Sequence, residues 1–243
     1  MLQVNNLSKK FKDKIAVNNI SFTVSPGEIV GLLGENGAGK TTTLRMISTM
    51  LKISEGEILV NNYNAAKDPE KVRNEVGILF GGDVGLYERL TGRENIKYFA
   101  DLYGMKKNET NKRIDELAKS FEMEDYINKP VSKYSRGMKQ KISIARSIIH
   151  TPSVMLFDEP TTGLDVSASR VVQDFILKCK EEGKTILFSS HSMKEVEKLC
   201  DRVVIINKGT LLENCTITEL KEKYNNNDLE EVFLSLIGGH NNE

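Results

Sequence analysis

A glycine-rich loop placed between a strand and a helix constrains this chain more than any other feature of its sequence. The run Gly34-Glu35-Asn36-Gly37-Ala38-Gly39-Lys40-Thr41, followed by Thr42, fits the pattern G-x-x-x-x-G-K-[ST]. The apolar segment from Glu28 to Leu33 predicts a strand before the loop. After the loop, apolar residues recur at helical spacing, at Leu44, Ile47 and Leu51. The sequence therefore predicts a β-strand, a phosphate-binding loop and an α-helix in that order.

The residue types in this loop suit the chemistry of phosphate binding. Glycines let the loop curl so that successive backbone N–H groups point at phosphate oxygens, and the following helix adds the positive end of its dipole. Lys40 is then expected to bridge the β- and γ-phosphates, and the Thr41 hydroxyl to coordinate Mg²⁺. The alternative, a glycine-rich turn with a chance lysine, does not account for the flanking strand and helix.

An acidic pair follows a second apolar strand. Val154-Met155-Leu156-Phe157 leads into Asp158-Glu159, which places two carboxylates at the carboxyl edge of a parallel sheet, where such sheets bind ligands. Asp158 is predicted to hold Mg²⁺, and Glu159 to polarise the water that attacks the γ-phosphate. A solvated helix N-terminus would also favour two carboxylates, but the phosphate loop makes the catalytic interpretation the stronger one.

A histidine is predicted to reach the same edge. His191 follows the apolar strand Thr185-Ile186-Leu187-Phe188 after Ser189-Ser190. A neutral imidazole at this position can hydrogen-bond the γ-phosphate or orient the attacking water, although a lone histidine after a strand is more often a turn or cap residue. His150 and His240 are interpreted as structural.

The order of elements predicts a single α/β unit with an insertion. Strand-like segments fill the N-terminal part, and helical periodicity without a convincing strand occupies residues 88–150. Strands and helices alternate again after Pro152, which is typical of a largely parallel sheet. We expect one domain over residues 1–224, with an inserted helical subdomain at about 88–150, and a C-terminal helix or tail over 225–243.

Composition excludes several classes of protein. The 243-residue chain balances 34 Lys and Arg against 34 Asp and Glu, with 39% hydrophobic residues, which is typical of a globular protein and gives no basic excess for nucleic acid. Its apolar stretches are far shorter than the roughly 20 residues of a membrane-spanning helix, and its first residues lack a signal-peptide core. Cys179, Cys200 and Cys215 show no C-x-x-C spacing, so neither a disulfide framework nor a zinc site is predicted.

Together these motifs resemble the ATP-binding subunits of ABC transporters. The run Tyr134-Ser135-Arg136-Gly137-Met138-Lys139-Gln140 resembles the family's signature motif, and Gly163-Leu164-Asp165 resembles its D-loop. His191 stands at the H-loop position, and Phe11 stands where an aromatic residue stacks on adenine, with core packing as the alternative for Phe11. The resemblance implies an α/β P-loop NTPase core, the ABC ATPase fold, with N-terminal antiparallel β-strands and an inserted helical subdomain.

The resemblance also implies cofactors and partners. ATP and Mg²⁺ are expected at the phosphate loop, and two ATP-binding subunits are expected to face each other head to tail as a homodimer. Ser135, Arg136 and the N–H of Gly137 would then cover the γ-phosphate held by the other subunit. A separate integral membrane permease is expected to carry the cargo, with this chain docked on the cytoplasmic side of the membrane. No nucleic acid is expected.

Three departures from the family pattern stand out. Arg136 replaces the first signature glycine, and either adds positive charge near the phosphate or points to solvent. Tyr134 replaces a leucine. The glutamine expected directly after the strand Val76 to Phe80 is absent, because Gly81-Gly82-Asp83 stands there.

The segment from Gly81 to Thr91 and the run Ile186 to His191 are similar to the ATP-binding subunits of sodium exporters that pair with an ABC-2-like permease. Export of an antimicrobial, a lipid or another hydrophobic compound is the first alternative. A non-transport ABC ATPase acting on ribosomes or DNA, and a nucleotide-sensing module without turnover, are weaker alternatives.

Overall fold

A computed structural model describes residues 1–81 and 85–238 of the chain, which form two sheets with helices packed on them. The strands are β1 Leu2–Phe11, β2 Lys14–Val24, β3 Ile29–Leu33, β4 Glu55–Val60, β5 Tyr63–Asn64, β6 Val76–Phe80, β7 Val154–Asp158, β8 Thr185–Ser189, β9 Arg202–Asn207 and β10 Thr210–Thr216. The helices are α1 Lys40–Ile47, α2 Pro69–Glu75, α3 Gly92–Leu102, α4 Lys107–Ser120, α5 Arg136–Ser147, α6 Val166–Glu181, α7 Met193–Leu199, α8 Ile217–Lys223 and α9 Leu229–Gly238. A short 3-10 helix, Val131–Lys133, precedes α5.

The larger sheet positions the predicted site. Its strand order is β10-β9-β3-β8-β7-β6, and the pairs among β9, β3, β8, β7 and β6 are parallel. Every residue of β3, β7 and β8 is buried, because helices such as α5 and α6 cover one face of the sheet, and α1 with the smaller sheet covers the other. Asp158 is in register with Phe80 on one side and with Ser189 on the other. The ends of three neighbouring strands therefore meet where the sequence placed its acidic pair.

The smaller sheet is antiparallel, with β2, β1 and β4 in order followed by the short β5. Buried Leu2 and Val4 of β1 pair with Val24 and Phe22 of β2, and their apolar side chains share a core with Leu44 of α1. The predicted N-terminal antiparallel strands and the predicted α/β architecture are confirmed.

Between β6 and β7 the described residues from Gly85 to Ser153 contain helices and one isolated bridge, between Thr91 and Pro130. Helix α3 begins with a capping box, in which Thr91 and Glu94 each accept from the other's backbone N–H. Buried Ile96, Ile114 and Ile142 join these helices to the core around β7. Within the described residues no helix combines the length and apolar character of a membrane span.

The C-terminal part contains elements that the sequence analysis did not predict. Strand β10 pairs antiparallel with β9 at the sheet edge, and α8 follows it with a capping box between Thr216 and Glu219. Residues 224–228 connect α8 to α9. In α9 the buried side chains Leu229, Val232, Phe233 and Ile237 pack into the same core as β7. All three cysteines are free, and Cys179 and Cys200 are buried.

His150, which follows α5, has a structural environment. Its ring stacks on Tyr103 with centroids 3.7 Å apart, and its Nε2 lies 3.1 Å from the Val76 carbonyl oxygen. Burial lowers the pKa of His150 to about 4. The imidazole is thus neutral at physiological pH and donates from Nε2.

Tyr134 has a structural reason to differ from leucine. Its ring is buried, and its hydroxyl accepts from the Gly92 N–H at 3.2 Å and donates to the Tyr126 carbonyl at 2.7 Å. This hydroxyl therefore connects the start of α3 with the segment before α5. Burial raises the pKa of Tyr134, so that the phenol remains protonated and able to donate.

We expect Tyr134→Phe to lower the free energy of unfolding by about 1–3 kcal/mol, because the buried Gly92 N–H loses its acceptor. Urea unfolding followed by circular dichroism measures the change. Tyr63→Phe, which alters a half-exposed ring, is the matched control and should change the value by less than about 0.5 kcal/mol. Equal unfolding free energies for Tyr134→Phe and the unmodified protein would contradict the role given to this hydroxyl.

Candidate functional site

The phosphate loop adopts a curled shape that only glycine permits at two of its positions. A carbon added at Gly34 would overlap the carbonyl oxygen of Ile206. Gly39 has a φ of 113°, and a carbon added there would lie 2.7 Å from the Ala16 carbonyl oxygen. The loop thus passes tightly between β9 and β2 before α1 begins at Lys40. The first N–H groups of α1 have no partner inside the helix and face any ligand at its start.

Lys40 is the buried cation of the site. Its side chain is only 5% exposed, and its Nζ donates to the carbonyl oxygens of Gly34 at 2.7 Å and Glu35 at 3.1 Å. The same Nζ lies 3.9 Å from Oε1 of Glu159. Burial lowers the pKa of Lys40, and the nearby carboxylates of Glu159 and Asp158 oppose that shift. The loop therefore holds an ammonium group at its centre, next to the acidic pair.

Asp158 ends β7 as a buried carboxylate with a specific partner on β8. Its Oδ1 accepts a hydrogen bond from the Ser189 Oγ at 2.8 Å, and Ser189 is its register neighbour. Ser189 also holds the next residue, since the Glu159 N–H lies 3.1 Å from both the carbonyl oxygen and the Oγ of Ser189. One serine thus orients both acidic residues.

Glu159 and His191, predicted to share the sheet edge, lie together. Oε2 of Glu159 is 3.5 Å from Nδ1 of His191, and Thr162 Oγ1 lies 3.4 Å from the same oxygen. The Glu159 side chain is 28% exposed, whereas that of His191 is 64% exposed. The Glu159 carboxylate therefore lies between the buried ammonium of Lys40 and the more exposed imidazole of His191. A carboxylate in this position can accept a proton from a water molecule that enters from the exposed side.

The residues predicted to hold Mg²⁺ supply the right kind of donor. Thr41 begins the first turn of α1 directly after Lys40, and the Asp158 carboxylate ends β7. A hydroxyl and a carboxylate are oxygen ligands of the type Mg²⁺ prefers, together with phosphate oxygens and water. Within the described residues no group of three or more His, Cys, Asp or Glu side chains could hold a metal alone. The donor set therefore fits a cation that arrives with a phosphate-bearing ligand.

The signature residues contact a different part of the chain. Ser135 is exposed and caps α5 by accepting from the Met138 N–H at 3.3 Å. A carbon added at Gly137 would lie 3.9 Å from Cβ of Ala168 on α6. Asp165 caps α6 by accepting from the Ala168 N–H at 2.8 Å. The starts of α5 and α6 therefore lie side by side, with Ser135 and Asp165 on the surface.

Arg136 points toward the D-loop. A carbon added at Gly163 would lie 2.6 Å from Nη2 of Arg136 and 3.5 Å from its Cζ. Gly163 has a φ of 71°, a conformation that glycine adopts without strain. The guanidinium of Arg136 thus packs against the D-loop of its own chain, and does not simply extend into solvent.

Phe11 lies outside the core. It ends β1 with 44% of its surface exposed, and Lys9 Nζ lies 4.9 Å from the centre of its ring. An exposed ring face is what stacking on an adenine requires, and core packing is excluded for this residue. Gly82 and Asp83, which stand where the family resemblance predicts a glutamine, lie outside the described residues, as does His240.

The sequence analysis missed two site residues. The sequence pattern assigns Ser189 no role beyond connecting β8 to His191, but its hydroxyl contacts Asp158 and Glu159. Glu195 on α7 accepts hydrogen bonds from Thr161, Ser190 and Gln173, each at 2.9 Å, and joins the loop after Glu159 to the loop before His191. The sequence signal that could have identified Ser189 is its place as a polar residue at the end of a buried strand. No local pattern marked Glu195.

For the ATP hydrolysis that the family resemblance implies, we expect Ser189→Ala to lower the rate about tenfold and to raise the Mg²⁺ concentration needed for half-maximal rate, because the Asp158 carboxylate loses a hydrogen bond. The measurement is steady-state hydrolysis over a Mg²⁺ titration. Ser143→Ala, which removes a buried hydroxyl without a hydrogen-bond partner in the structure, is the control. Unchanged Mg²⁺ dependence in Ser189→Ala would exclude this role.

Known relatives of this chain are ATP-binding proteins, and a solved structure shares its fold. The chain is 47% identical over 239 residues to the ABC transporter ATP-binding protein NatA of Bacillus subtilis, covering 97% of each protein. It is 34% identical over 235 residues to the linearmycin resistance ATP-binding protein LnrL of the same organism, covering 97% of this chain and 75% of LnrL. A solved ATP-binding subunit of an ABC transporter superposes with a TM-score of 0.86 at 30% identity, covering 97% of this chain and 99% of that one.

The family model described as ABC transporter matches residues 17–162, which include the phosphate loop, the signature region and the acidic pair. The match includes strands β3 to β7 and helices α1 to α5. With the buried Lys40, the Asp158 and Glu159 pair and the adjoining His191, this chain belongs to the ATP-binding subunits of ABC transporters and is an ATPase.

Proposed function

We propose that this chain energises export, with sodium as the cargo, by hydrolysing ATP while docked on the cytoplasmic side of a separate membrane permease. The observation that carries the catalytic part is the position of Glu159 between the buried Lys40 ammonium and His191. The sodium cargo is supported by the resemblance of residues 81–91 and 186–191 to sodium-export subunits. Export of an antimicrobial compound is the second candidate, because the relative LnrL is named for linearmycin resistance.

The roles of the site residues follow from their chemistry. The N–H groups of residues 35–42 and the Lys40 ammonium bind the phosphates, and Phe11 stacks on the adenine. Thr41 and Asp158 hold Mg²⁺, which neutralises charge on the phosphates when it is bound. Glu159 accepts the proton of the attacking water, and His191 orients that water from the exposed side.

A second copy of the chain is part of the proposal, because one copy exposes Ser135 and Arg136 of its signature region. Arg136, Gly137 and Gln140 lie close to Gly163, Ala168 and Pro160 of the same chain. Ser135 and the start of α5 are exposed. We expect them to cover the γ-phosphate bound to a partner copy, so that closure of the dimer on ATP and its opening after hydrolysis drive transport.

An exposed apolar patch supports a permease partner. Tyr87, Tyr98 and Leu102 are 49%, 42% and 65% exposed, and the rings of Tyr87 and Tyr98 meet edge to face at 5.3 Å. Tyr98 and Leu102 lie one turn apart on α3 and share a face. Contiguous exposed apolar side chains of this kind mark contact surfaces. The occupant we propose is a cytoplasmic segment of the permease.

We expect Glu159→Gln to reduce ATP hydrolysis by the assembled complex at least about 100-fold, because the amide cannot accept the proton of the attacking water. ATP affinity should stay within about threefold, since Lys40 and the phosphate loop are unchanged. Phosphate release and binding of a fluorescent ATP analogue measure the two quantities. Glu230→Gln, on the exposed face of α9, is the control. Full activity in Glu159→Gln would disprove the catalytic assignment.

The cargo is tested by sodium efflux from vesicles that contain this chain and its permease. We expect ATP-dependent sodium movement with the unmodified chain and no movement with Glu159→Gln. We expect reduced sodium movement with Leu102→Asp. The rate of ATP hydrolysis by Leu102→Asp in the absence of permease should be normal. ATP-dependent movement of an organic compound without sodium movement would replace sodium by the second candidate. Normal transport with Leu102→Asp would exclude the patch as the docking surface.

A further inference from the structure

Gly81, directly after β6, lies against the catalytic glutamate's main chain. Its N–H donates to the Asp158 carbonyl oxygen at 2.8 Å, which extends the pairing of β6 with β7 by one residue. A carbon added at Gly81 would overlap the carbonyl oxygen of Glu159 and would lie 2.8 Å from its carbonyl carbon. A side chain at position 81 therefore has no space unless the Glu159 peptide moves.

Glu159 is held on its other side as well. Its N–H is 3.1 Å from both oxygens of Ser189 on β8, and its φ of 49° places a non-glycine residue in the left-handed region. Such a conformation persists only when the surrounding structure enforces it. The contacts that enforce it include Ser189 on β8, the Thr162 N–H, which donates to the Glu159 carbonyl oxygen at 3.1 Å, and the close approach of the backbone at Gly81.

We propose that Gly81 is a positioning residue for hydrolysis, and this inference rests on the proposed role of Glu159. Because position 81 carries no side chain, the end of β6 approaches the Glu159 peptide closely and fixes the direction of its carboxylate between Lys40 and His191. The glutamine that the family resemblance predicts after this strand is consequently excluded by packing. Restoring it should damage the site.

We expect substitutions at Gly81 to lower the rate of turnover rather than the affinity for ATP. A shift of about 1 Å in a catalytic group can cost about 100-fold in rate. Gly81 takes no part in the hydrogen bonds that hold Lys40, which go to Gly34 and Glu35. We therefore expect Gly81→Ala and Gly81→Gln to lower kcat by about 10- to 100-fold and to leave ATP affinity within about threefold.

The experiment compares kcat, KM and ATP affinity for these variants in the assembled complex. Gly77→Ala is the packing control on the same strand, since a carbon there meets the Ser147 carbonyl oxygen at 2.6 Å, Cγ of Pro152 at 2.7 Å and the Met155 sulfur at 2.8 Å, none of which belongs to Glu159. Gly104→Ala, with a φ of 69° and open space, controls for backbone strain alone. After correction for the folded fraction, both controls should retain kcat.

A double variant separates positioning from general damage. If Gly81 acts through Glu159, adding Gly81→Ala to Glu159→Gln should leave the residual hydrolysis rate unchanged, because the group being positioned is already removed. An additive loss would overturn the inference, as would wild-type kcat in Gly81→Gln. Parallel loss of ATP binding or of the cooperative unfolding transition in Gly81→Ala would make Gly81 a structural residue and also overturn it. Full hydrolysis in Glu159→Gln, by contrast, would defeat the proposed function itself.

Discussion

The site depends on keeping one ammonium and two carboxylates at the carboxyl edge of a buried parallel sheet. Removing such groups from water is costly unless each finds charged or hydrogen-bonding partners. Lys40 has two loop carbonyls and Glu159, while Asp158 has the Ser189 hydroxyl. These partners come from β3, β7 and β8, three adjacent strands whose order places them side by side. The sheet topology is therefore what makes the buried charges tolerable.

The residues of the proposed chemistry lie on two separate surfaces of the chain. The phosphate loop and acidic pair belong to the parallel sheet, whereas Ser135 and Asp165 are exposed at the starts of α5 and α6, two helices whose first turns lie side by side. Arg136 packs against Gly163 and ties those two segments together within one chain. A signature region and a D-loop held as one surface are suited to meeting a second copy as a unit.

Much of this was predictable from local patterns. Buried strands that end in polar residues predicted several features correctly. These are the phosphate loop, the strands Val76 to Phe80 and Thr185 to Ser189, and the contact between Glu159 and His191. Strand β10 and helix α8 were missed, because Glu213 and Asn214 interrupt the apolar alternation of a half-buried edge strand. The direction of Arg136 was also beyond prediction, since a guanidinium at a helix start can extend in several directions.

By itself the sequence determined which side chains stand at the positions proposed for phosphate, metal and proton chemistry, because those functions require particular side chains at fixed short spacings. Tertiary structure alone decided what Tyr134, Ser189, Glu195 and Gly81 contribute. Each of these acts on a residue distant in sequence: Tyr134 on Gly92, Ser189 on Asp158, Glu195 on Gln173, and Gly81 on the Glu159 peptide. Contacts of that kind depend on how strands and helices pack across the sheet, and no spacing along the chain encodes them.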